Sequence, residues 1–431
     1  MSNPGMNIPG SKYIANRVLL MSALTGGRSG IGRVPDNSDL RVLLDLLTDI
    51  GIVVNWVDGE AGRCSVWGIN SPRSSMKEAR SVDAGESGTL LRFITGMACL
   101  LPGETFVTAD SRNRQRPILP LLKALRDLGA DVSWSNGKNV YPLRIKNGLK
   151  GGRTVVPGDV SSQFVSSLLI VSPCADNDVE LVVVKPVVSS AYIDVTLREM
   201  RKFGVTAERI RGDECDVFRV PAGQRYQPVD VEIPGDWSSA NTLLAASVIL
   251  GRRIKINRMR VESNPGESEF VTILQRMGCS MNTADDSVSV LKSDRLKGVE
   301  VDMKDSPDSV LTLIAVALFA RGTTVVNNIS HLIHKESDRI QKVETELNKI
   351  GAHIETTKDS ITVTGMKQLH AAATHSHNDH RLAMCLGLIK LRNRGMTIAD
   401  SVCVRKSFPE FWNFIEAIDS YEEGEKCLEI Q

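Results

Sequence analysis

Basic side chains recur where apolar runs begin and in the adjoining loops. These residues are Lys12, Arg17, Arg116, Lys335, Arg339, Arg381 and Lys406. Backbone N–H groups are free in the first turn of a helix and the helix dipole is positive there, so a cation at that place strengthens an anion site. The whole chain has a formal net charge of only +1, which makes the basic set a local feature. It predicts small, multiply anionic substrates, with phosphate the expected group.

Two carboxylates, Asp308 and Glu336, lie among these cations along the chain. Carboxylates beside a bound anion suit proton transfer. Asp308 also stands where a helix cap is expected, and a lone Asp at a helix start is usually a cap. Lys335 and Arg339 are four residues apart, so they would face one side of any helix that began there. A solvated charged face is the alternative for that pair.

Hydroxyl groups precede two further predicted helices. Ser161 and Ser162 open one apolar run, and Ser189 and Tyr192 follow a predicted strand. A serine at a helix start can simply cap the helix. Together with free backbone N–H groups, the same hydroxyls can hold a phosphate. Both interpretations stay open at this level.

Two other motifs indicate ligands only weakly. His375, His377 and His380 suggest a metal, but their spacing is not the helical HExxH pattern and Arg381 would repel a cation. We favour Arg381 directed at an anion. The GxG-like stretch at 26–32 follows a predicted helix, whereas the dinucleotide motif follows a strand.

The elements that must position these residues recur six times. Apolar runs open at Pro9, Gly85, Ser161, Gly235, Ser306 and Asn378. Each run is apolar on nearly every side, which predicts a fully buried helix. None reaches the ~20 apolar residues that a membrane span needs.

A second signature alternates with the first: an amphipathic helix, a glycine and a strand-like run. The glycines are Gly51, Gly129, Gly204, Gly278 and Gly351. Each is expected to end its helix in the left-handed conformation. The chain is therefore six units of about 72 residues. Since 431 residues exceed one core, we expect two domains of three units, crossing near residue 232. The fourth unit has few ionisable residues at its helix start and is expected to be largely structural.

Composition limits the class of protein. Hydrophobic residues make up 42% and charged residues 24%, as in ordinary soluble globular proteins. The near-zero net charge argues against nucleic-acid or polybasic membrane partners. Eight scattered cysteines without a CxxC motif predict reduced thiols and a cytoplasmic location. The first residues, MSNPGMN, carry no secretion signal. We expect a monomer.

The motifs PGSK, GESGT, RQRPI, SSQF, SPDS, KESDR, NDHR and RKSFP occur in this order over nearly the whole chain. They resemble the enolpyruvyl transferase family, on its shikimate 3-phosphate branch. The resemblance implies an α/β fold: a two-domain inverted α/β prism of six repeated β/α units, three per domain. The implied domains are 12–232, and 1–11 with 233–431, with the active site in the cleft between them.

The resemblance also implies a reaction and residue roles. Phosphoenolpyruvate would give its enolpyruvyl group to the 5-hydroxyl of shikimate 3-phosphate through a tetrahedral ketal that releases phosphate. No metal or redox cofactor is implied, and glyphosate is the expected inhibitor. The implied phosphoenolpyruvate residues are Lys12, Gly88, Arg116, Gln163, Arg339, Arg381 and Lys406. The implied shikimate 3-phosphate residues are Lys12, Tyr13, Arg17, Ser161, Ser162, Gln163, Ser189, Tyr192, Asp308, His331 and Lys335. The implied catalytic residues are Asp308, Glu336 and Lys12.

The sequence departs from the family pattern at two positions. Tyr13 replaces the serine after the PGSK lysine, and His331 replaces the asparagine four residues before Lys335. Both would permit carboxyvinyl transfer to a different hydroxylated acceptor. A sister enzyme acts on UDP-N-acetylglucosamine and carries a cysteine near the position of Arg116; the stretch 110–117 has none. A catalytically inactive binding protein is disfavoured because the acids and cations are retained.

Overall fold

The computed structural model describes residues 7–57, 62–68, 79–134, 140–146, 148–293, 295–421 and 427–431. It divides into two compact units. One is Lys12–Ile233, and the other joins Pro234–Gln431 to the N-terminal stretch that ends at Ser11. Each unit has its own apolar core. The start of the chain, for which no secretion signal is expected, lies largely outside the described residues.

The described residues of each unit contain six α-helices. In the Lys12–Ile233 unit they are α1 (Lys12–Ala23), α2 (Ser38–Asp49), α3 (Gly88–Ala98), α4 (Leu119–Asp127), α5 (Ser162–Val171) and α6 (Ser190–Lys202). In the other unit they are α7 (Trp237–Leu250), α8 (Pro265–Arg276), α9 (Val310–Ala317), α10 (Arg339–Lys349), α11 (His380–Lys390) and α12 (Phe411–Ser420).

The strands are short and follow the same division. The Lys12–Ile233 unit has β1 (Arg28–Gly32), β2 (Val53–Trp56), β3 (Cys64–Trp67), β4 (Ala79–Asp83), β5 (Glu104–Thr108), β6 (Val132–Ser133), β7 (Leu143–Lys146), β8 (Gly152–Pro157), β9 (Val179–Val184), β10 (Glu208–Arg211), β11 (Cys215–Val220) and β12 (Val231–Glu232). The other unit has β13 (Ile254–Asn257), β14 (Ser280–Ala284), β15 (Ser287–Lys292), β16 (Glu300–Asp302), β17 (Thr323–Asn327), β18 (His353–Thr356), β19 (Ile361–Thr364), β20 (Ala373–His375), β21 (Thr397–Ala399) and β22 (Leu428–Ile430).

Each unit builds three sheets among its described residues. The first unit has the orders β12-β1-β3-β2, β4-β5-β7-β6 and β10-β11-β9-β8, and the second has β14-β15-β13-β22, β16-β17-β19-β18 and β20-β21. The last strand of each unit returns to the first sheet, since β12 pairs in parallel with β1 and β22 with β13. Parallel neighbours need a crossover, which the helices supply.

The alternation of helix types follows the predicted pattern. Every residue of α1 and of α9 is buried. By contrast, α2 and α10 bury one side only, because their apolar residues recur at helical spacing. The five predicted capping glycines all have φ between 76 and 101°. Within the described residues, no helix is both long and apolar enough to cross a membrane.

One helix start differs from the expectation. Proline is favoured at the first position of a helix, so Pro117, directly after the arginine-rich stretch 112–116, is expected to open the next helix. The helix α4 begins instead at Leu119 with Pro120 in its first turn. Arg116 lies before it in extended backbone, after a short 3-10 turn that spans Asn113–Gln115.

Candidate active site

Asp308 is held by two guanidinium groups. Its Oδ1 lies 3.1 Å from Arg339 Nη1, and its Oδ2 lies 3.2 Å from Arg381 Nη2. Arg339 starts α10 and Arg381 is the second residue of α11. The starts of two helices therefore deliver the cations, and the turn before α9 delivers the acid.

Glu336 joins the same cluster through its two oxygens. Arg339 Nη2 lies 2.9 Å from Oε2, and Lys406 Nζ lies 3.1 Å from Oε1. The side chains of Asp308 and Glu336 are 15% and 16% exposed, so both acids stay within reach of a ligand. The structure thus assembles Asp308, Glu336, Arg339, Arg381 and Lys406, which the sequence placed up to 98 positions apart.

Asp379 completes the surroundings of Arg339, and sequence reasoning missed it. Its Oδ2 lies 3.0 Å from Arg339 Nε, while the same carboxylate caps α11 by accepting the N–H of Arg381. Burial opposes the charge on Arg339, but Asp379, Glu336 and Asp308 outweigh it and raise its pKa. Arg339 therefore stays charged although its side chain is 1% exposed.

Three sequence-based expectations about this cluster need correction. Asp308 does not cap α9, which begins at Val310 after Ser309, because its carboxylate is bound to the two arginines. Lys335 does not share a helix face with Arg339, because α10 begins at Arg339 and Lys335 lies before it in extended backbone. The basic set predicted from the sequence is also balanced by acids here, since Asp308, Glu336 and Asp379 pair with its cations.

The fourth unit contributes more than the structural role that its sequence suggested. Ser238 Oγ accepts a hydrogen bond from Arg381 Nη2 at 2.8 Å and donates one to Asp236 at 2.5 Å. Asp236 also caps α7. A GDxSS sequence at a buried helix start was the available signal, but hydroxyls there are usually caps.

Only one group of the described residues has donor atoms close enough for a metal ion: Glu336, Asp379 and His380. Two of its members already bind Arg339, so the guanidinium occupies the oxygens that a cation would need. His375 and His377 pair instead with Asp400 and with Glu346. The three histidines of the sequence motif therefore do not form one ligand set.

In the Lys12–Ile233 unit, the predicted residues gather at the starts of buried helices. Lys12 Nζ lies 3.2 Å from Asp39 Oδ2. Arg17 is fully buried and donates to Thr196 Oγ1 at 2.7 Å and to the backbone oxygens of Tyr13 and Tyr192. Burial lowers its pKa to about 10, which still leaves it charged at neutral pH.

The ring of Tyr13 packs edge-on against Tyr192, with 4.9 Å between the ring centroids. Tyr13, which stands where the family pattern has the smaller serine, therefore lies against Tyr192, another predicted ligand residue. Ser189 precedes α6 in the left-handed region, with φ of 54°, and makes no capping hydrogen bond. The Ser189 hydroxyl is therefore not used to cap α6, and it can bind a ligand instead.

The start of α5 behaves differently. Ser161 accepts the N–H of Gln163 and caps the helix, and Ser162 is its first residue. Gln163 Nε2 donates to Thr89 Oγ1 at 3.0 Å, and its Oε1 is buried with no hydrogen-bond partner among the described residues. A buried acceptor of this kind suits a ligand donor.

Gly88 and Arg116 lie in contact. A Cβ at Gly88 would overlap Arg116 Nη1. Arg116 Nη1 is held by Asn113 Oδ1 at 3.1 Å. The absent side chain at the start of α3 is therefore what gives this guanidinium its place beside free helix N–H groups.

His331 is 2% exposed, and neither ring nitrogen has a hydrogen-bond partner among the described residues. Burial, together with the charges of Lys335 and Arg339, lowers its pKa to about 3. The imidazole is therefore neutral, and it lies close enough to Asp308 for the charge of that carboxylate to act on it.

Comparison with known proteins identifies the family. The model of the family EPSP synthase (3-phosphoshikimate 1-carboxyvinyltransferase) matches residues 4–415. The chain belongs to the EPSP synthase family. The 3-phosphoshikimate 1-carboxyvinyltransferases of Erwinia tasmaniensis and Methanoculleus marisnigri are 37% and 39% identical to it, each over 94% of both chains.

A solved EPSP synthase structure supports the fold. The enzyme from Acinetobacter baumannii matches with a TM-score of 0.78 at 24% identity, over 96% of this chain and 94% of that chain. The family resemblance and the two-domain α/β fold expected from the sequence are thereby confirmed.

Proposed function

We propose that the protein transfers the enolpyruvyl group of phosphoenolpyruvate to the 5-hydroxyl of shikimate 3-phosphate and releases phosphate. The observation that carries this proposal is the cluster of Asp308 and Glu336 with Arg339, Arg381 and Lys406 in a chain of the EPSP synthase family. In this cluster, two acids that can transfer protons lie beside cations that can bind the anionic phosphoenolpyruvate.

In the proposed addition–elimination reaction, Asp308 and Glu336 each transfer a different proton. As the 5-hydroxyl attacks C2 of phosphoenolpyruvate, Asp308 receives its proton, and Glu336 with Lys12 protonates C3. The tetrahedral ketal then returns a proton from C3 to Glu336, the C2–O bond to phosphate breaks and the enolpyruvyl ether forms. Arg339, Arg381 and Lys406 stabilise the departing phosphate.

We assign the ligands to residues by the same logic. Phosphoenolpyruvate is held by Lys12, Gly88, Arg116, Gln163, Arg339, Arg381 and Lys406. Shikimate 3-phosphate is held by Lys12, Tyr13, Arg17, Ser161, Ser162, Gln163, Ser189, Tyr192, Asp308, His331 and Lys335. Gln163 Oε1, which is buried and has no hydrogen-bond partner in the described part of the chain, and the non-capping Ser189 support these roles. Glyphosate competes with phosphoenolpyruvate in this scheme.

A different hydroxylated acceptor is the second candidate. The contact of Tyr13 with Tyr192 favours it, because an aromatic pair fills space at a position where the family pattern has a serine. A cytoplasmic location accompanies either candidate, since all eight cysteines are free.

The deciding experiment measures phosphate release from phosphoenolpyruvate with and without shikimate 3-phosphate, and identifies the product by mass spectrometry. Acceptor-dependent release together with the mass of the enolpyruvyl ether is the expected result. Phosphoenolpyruvate binding without release would move the search to another acceptor.

A further inference from the structure

Glu267 is a fully buried carboxylate between the starts of two helices. It is 0% exposed and lies in the first turn of α8. Its Oε1 accepts the backbone N–H of Asp308 at 3.2 Å, and its Oε2 accepts the hydroxyl of Ser309. The side chain of Glu267 therefore binds Asp308 and Ser309, the last two residues before α9 begins.

The surrounding hydrogen bonds fix this bridge from the other side. Asn241 Nδ2 donates to the backbone oxygen of Glu267 and to Ser309 Oγ, each at 2.8 Å. The Ser306 hydroxyl donates to the backbone oxygen of Gly266. A buried carboxylate is costly unless it is hydrogen-bonded, and here hydrogen bonds and the positive end of α8 offset that cost.

Asp308 is thereby held at both ends. Its carboxylate binds Arg339 and Arg381, and its backbone N–H binds Glu267. The two arginines orient the carboxylate of Asp308, and the buried turn places the backbone that carries it. Because the turn cannot shift without breaking the hydrogen bonds to Glu267, the backbone contact contributes to the position of the carboxylate.

We propose that Glu267 is a positioning residue that fixes Asp308 for proton transfer from the acceptor hydroxyl. The inference rests on the proposed function, in which Asp308 receives that proton. Glu267 does not touch substrate in this scheme and acts only through the Asp308–Ser309 turn.

The substitution Glu267→Gln tests the bridge with little change in volume. Glutamine places an NH2 donor at one of the two positions where Glu267 oxygens accept the Asp308 N–H and the Ser309 hydroxyl, so at least one of these hydrogen bonds is disrupted. We expect kcat to fall by about 10- to 100-fold, because displacing a reacting group by ~1 Å costs about that much. The KM for phosphoenolpyruvate should stay within about twofold, since the donor cations remain.

Glu346→Gln is the matched control in the same unit. Glu346 is also 0% exposed, accepts the backbone N–H of His375 at 2.9 Å and pairs with Lys349 and His377. None of these partners has a proposed role in the reaction. A loss of thermal stability similar to that of Glu267→Gln, with wild-type kcat, is the expected result.

Hydrogen–deuterium exchange supplies a readout that does not depend on turnover. The peptide that contains Asp308 should exchange faster in Glu267→Gln than in wild type or in Glu346→Gln. Wild-type kcat, or unchanged exchange of that peptide, would overturn the positioning role. If the wild-type protein released no phosphate, the proposed function would fail, and the exchange result alone would decide whether Glu267 fixes the turn.

A second variant covers a failure of Glu267→Gln to fold. Ser309→Ala removes the hydroxyl that donates to Glu267 and leaves the Asp308 N–H contact in place. We expect faster exchange of the same peptide and a smaller loss of kcat. Wild-type values for both measurements would count against the proposal.

Discussion

Four cations of the candidate site, Lys12, Arg339, Arg381 and Lys406, are paired with carboxylates. Asp308 and Glu336 pair with Arg339, Arg381 and Lys406, three of the cations that we assign to phosphoenolpyruvate. An anionic substrate that binds these cations competes with the two carboxylates for them. Such competition would loosen each acid beside the reacting atoms, which links binding to proton transfer.

Glu336→Gln tests that link at one residue. General acid–base catalysis contributes at least about 100-fold, so we expect kcat to fall by that factor while binding of phosphoenolpyruvate is retained. Glu344→Gln is the control, because Glu344 lies in α10, where it accepts a hydrogen bond from the Thr356 hydroxyl and has no proposed role in the reaction. Steady-state phosphate release measures both variants. Normal turnover by Glu336→Gln would assign the proton transfer to another group.

His331 predicts a pH dependence of stability. Its pKa is about 3 in the folded protein because burial opposes the charge, and 6.5 is its ordinary value. The unfolded chain therefore binds a proton that the folded chain does not, and stability falls as the pH drops below 6.5. The loss amounts to about 2 kcal/mol at pH 5.

His331→Asn should remove that contribution. We expect the free energy of unfolding of the variant to fall by about 2 kcal/mol less than that of wild type between pH 7.5 and pH 5, measured by urea denaturation. The exposed His353 offers the control, His353→Asn, which should keep the wild-type dependence. Identical curves for wild type and His331→Asn would contradict the buried neutral imidazole.

Gly88→Ala tests the place of Arg116. The added methyl group would overlap Arg116 Nη1 and push the guanidinium away. Losing one charge-assisted hydrogen bond costs roughly 1.5–3 kcal/mol, so the KM for phosphoenolpyruvate and the inhibition constant of glyphosate should both rise by at least about tenfold. The KM for shikimate 3-phosphate serves as the internal control. An unchanged glyphosate constant would refute the assignment of Gly88.

At the scale of elements, the starts and the ends of the helices carry different kinds of residues. Helix starts carry the candidate site: Arg339 begins α10, and Lys12 begins α1. Helix ends carry turns, such as the left-handed Gly251 after α7 and Gly351 after α10, with φ of 72 and 76°. The free N–H groups and the positive dipole explain why side chains that bind anions are favoured at these helix starts.

Alanine at these glycines should therefore reduce stability and spare activity. We expect Gly251→Ala and Gly351→Ala each to lower the free energy of unfolding by about 1 kcal/mol, because a side chain in the left-handed region is strained. Urea denaturation measures the loss, and kcat with both KM values provides the comparison. A change in KM of either variant would show that helix ends also shape the site.

At the scale of the whole molecule, each unit closes on itself. The strand β12 returns to β1, and β22 returns to β13. The N-terminal stretch is bound within the Pro234–Gln431 unit, where the Ile8 N–H donates to the Gln431 oxygen at 2.7 Å and the Ser11 N–H to the Pro234 oxygen at 2.8 Å. The chain thus completes one unit with residues from both of its ends.

The continuous unit should fold alone. We expect a fragment of residues 12–233 to unfold cooperatively on heating, because its core and its three sheets use only its own residues. Circular dichroism and dispersed amide NMR signals would test it, with the fragment 234–431 as the comparison. That second fragment lacks Ile8, which belongs to its core, and should be less stable.

The sequence by itself determined the repeat, the buried helices, the family and most residues of the candidate site. Apolar periodicity and capping glycines are local signals, so they could be read from Gly51 or from the run around α9 without coordinates. The family motifs carried Lys12, Asp308 and Glu336 in the same way.

Only the tertiary structure decided how those residues meet. It placed Asp308 between two arginines rather than at a cap, began α10 at Arg339, and brought Ser238 and Glu267 to the cluster from the fourth unit. These contacts join residues from 31 to 143 positions apart. Hydrogen bonds and ion pairs depend on distances of about 3 Å, and no local pattern in a chain specifies which distant side chain will supply the partner.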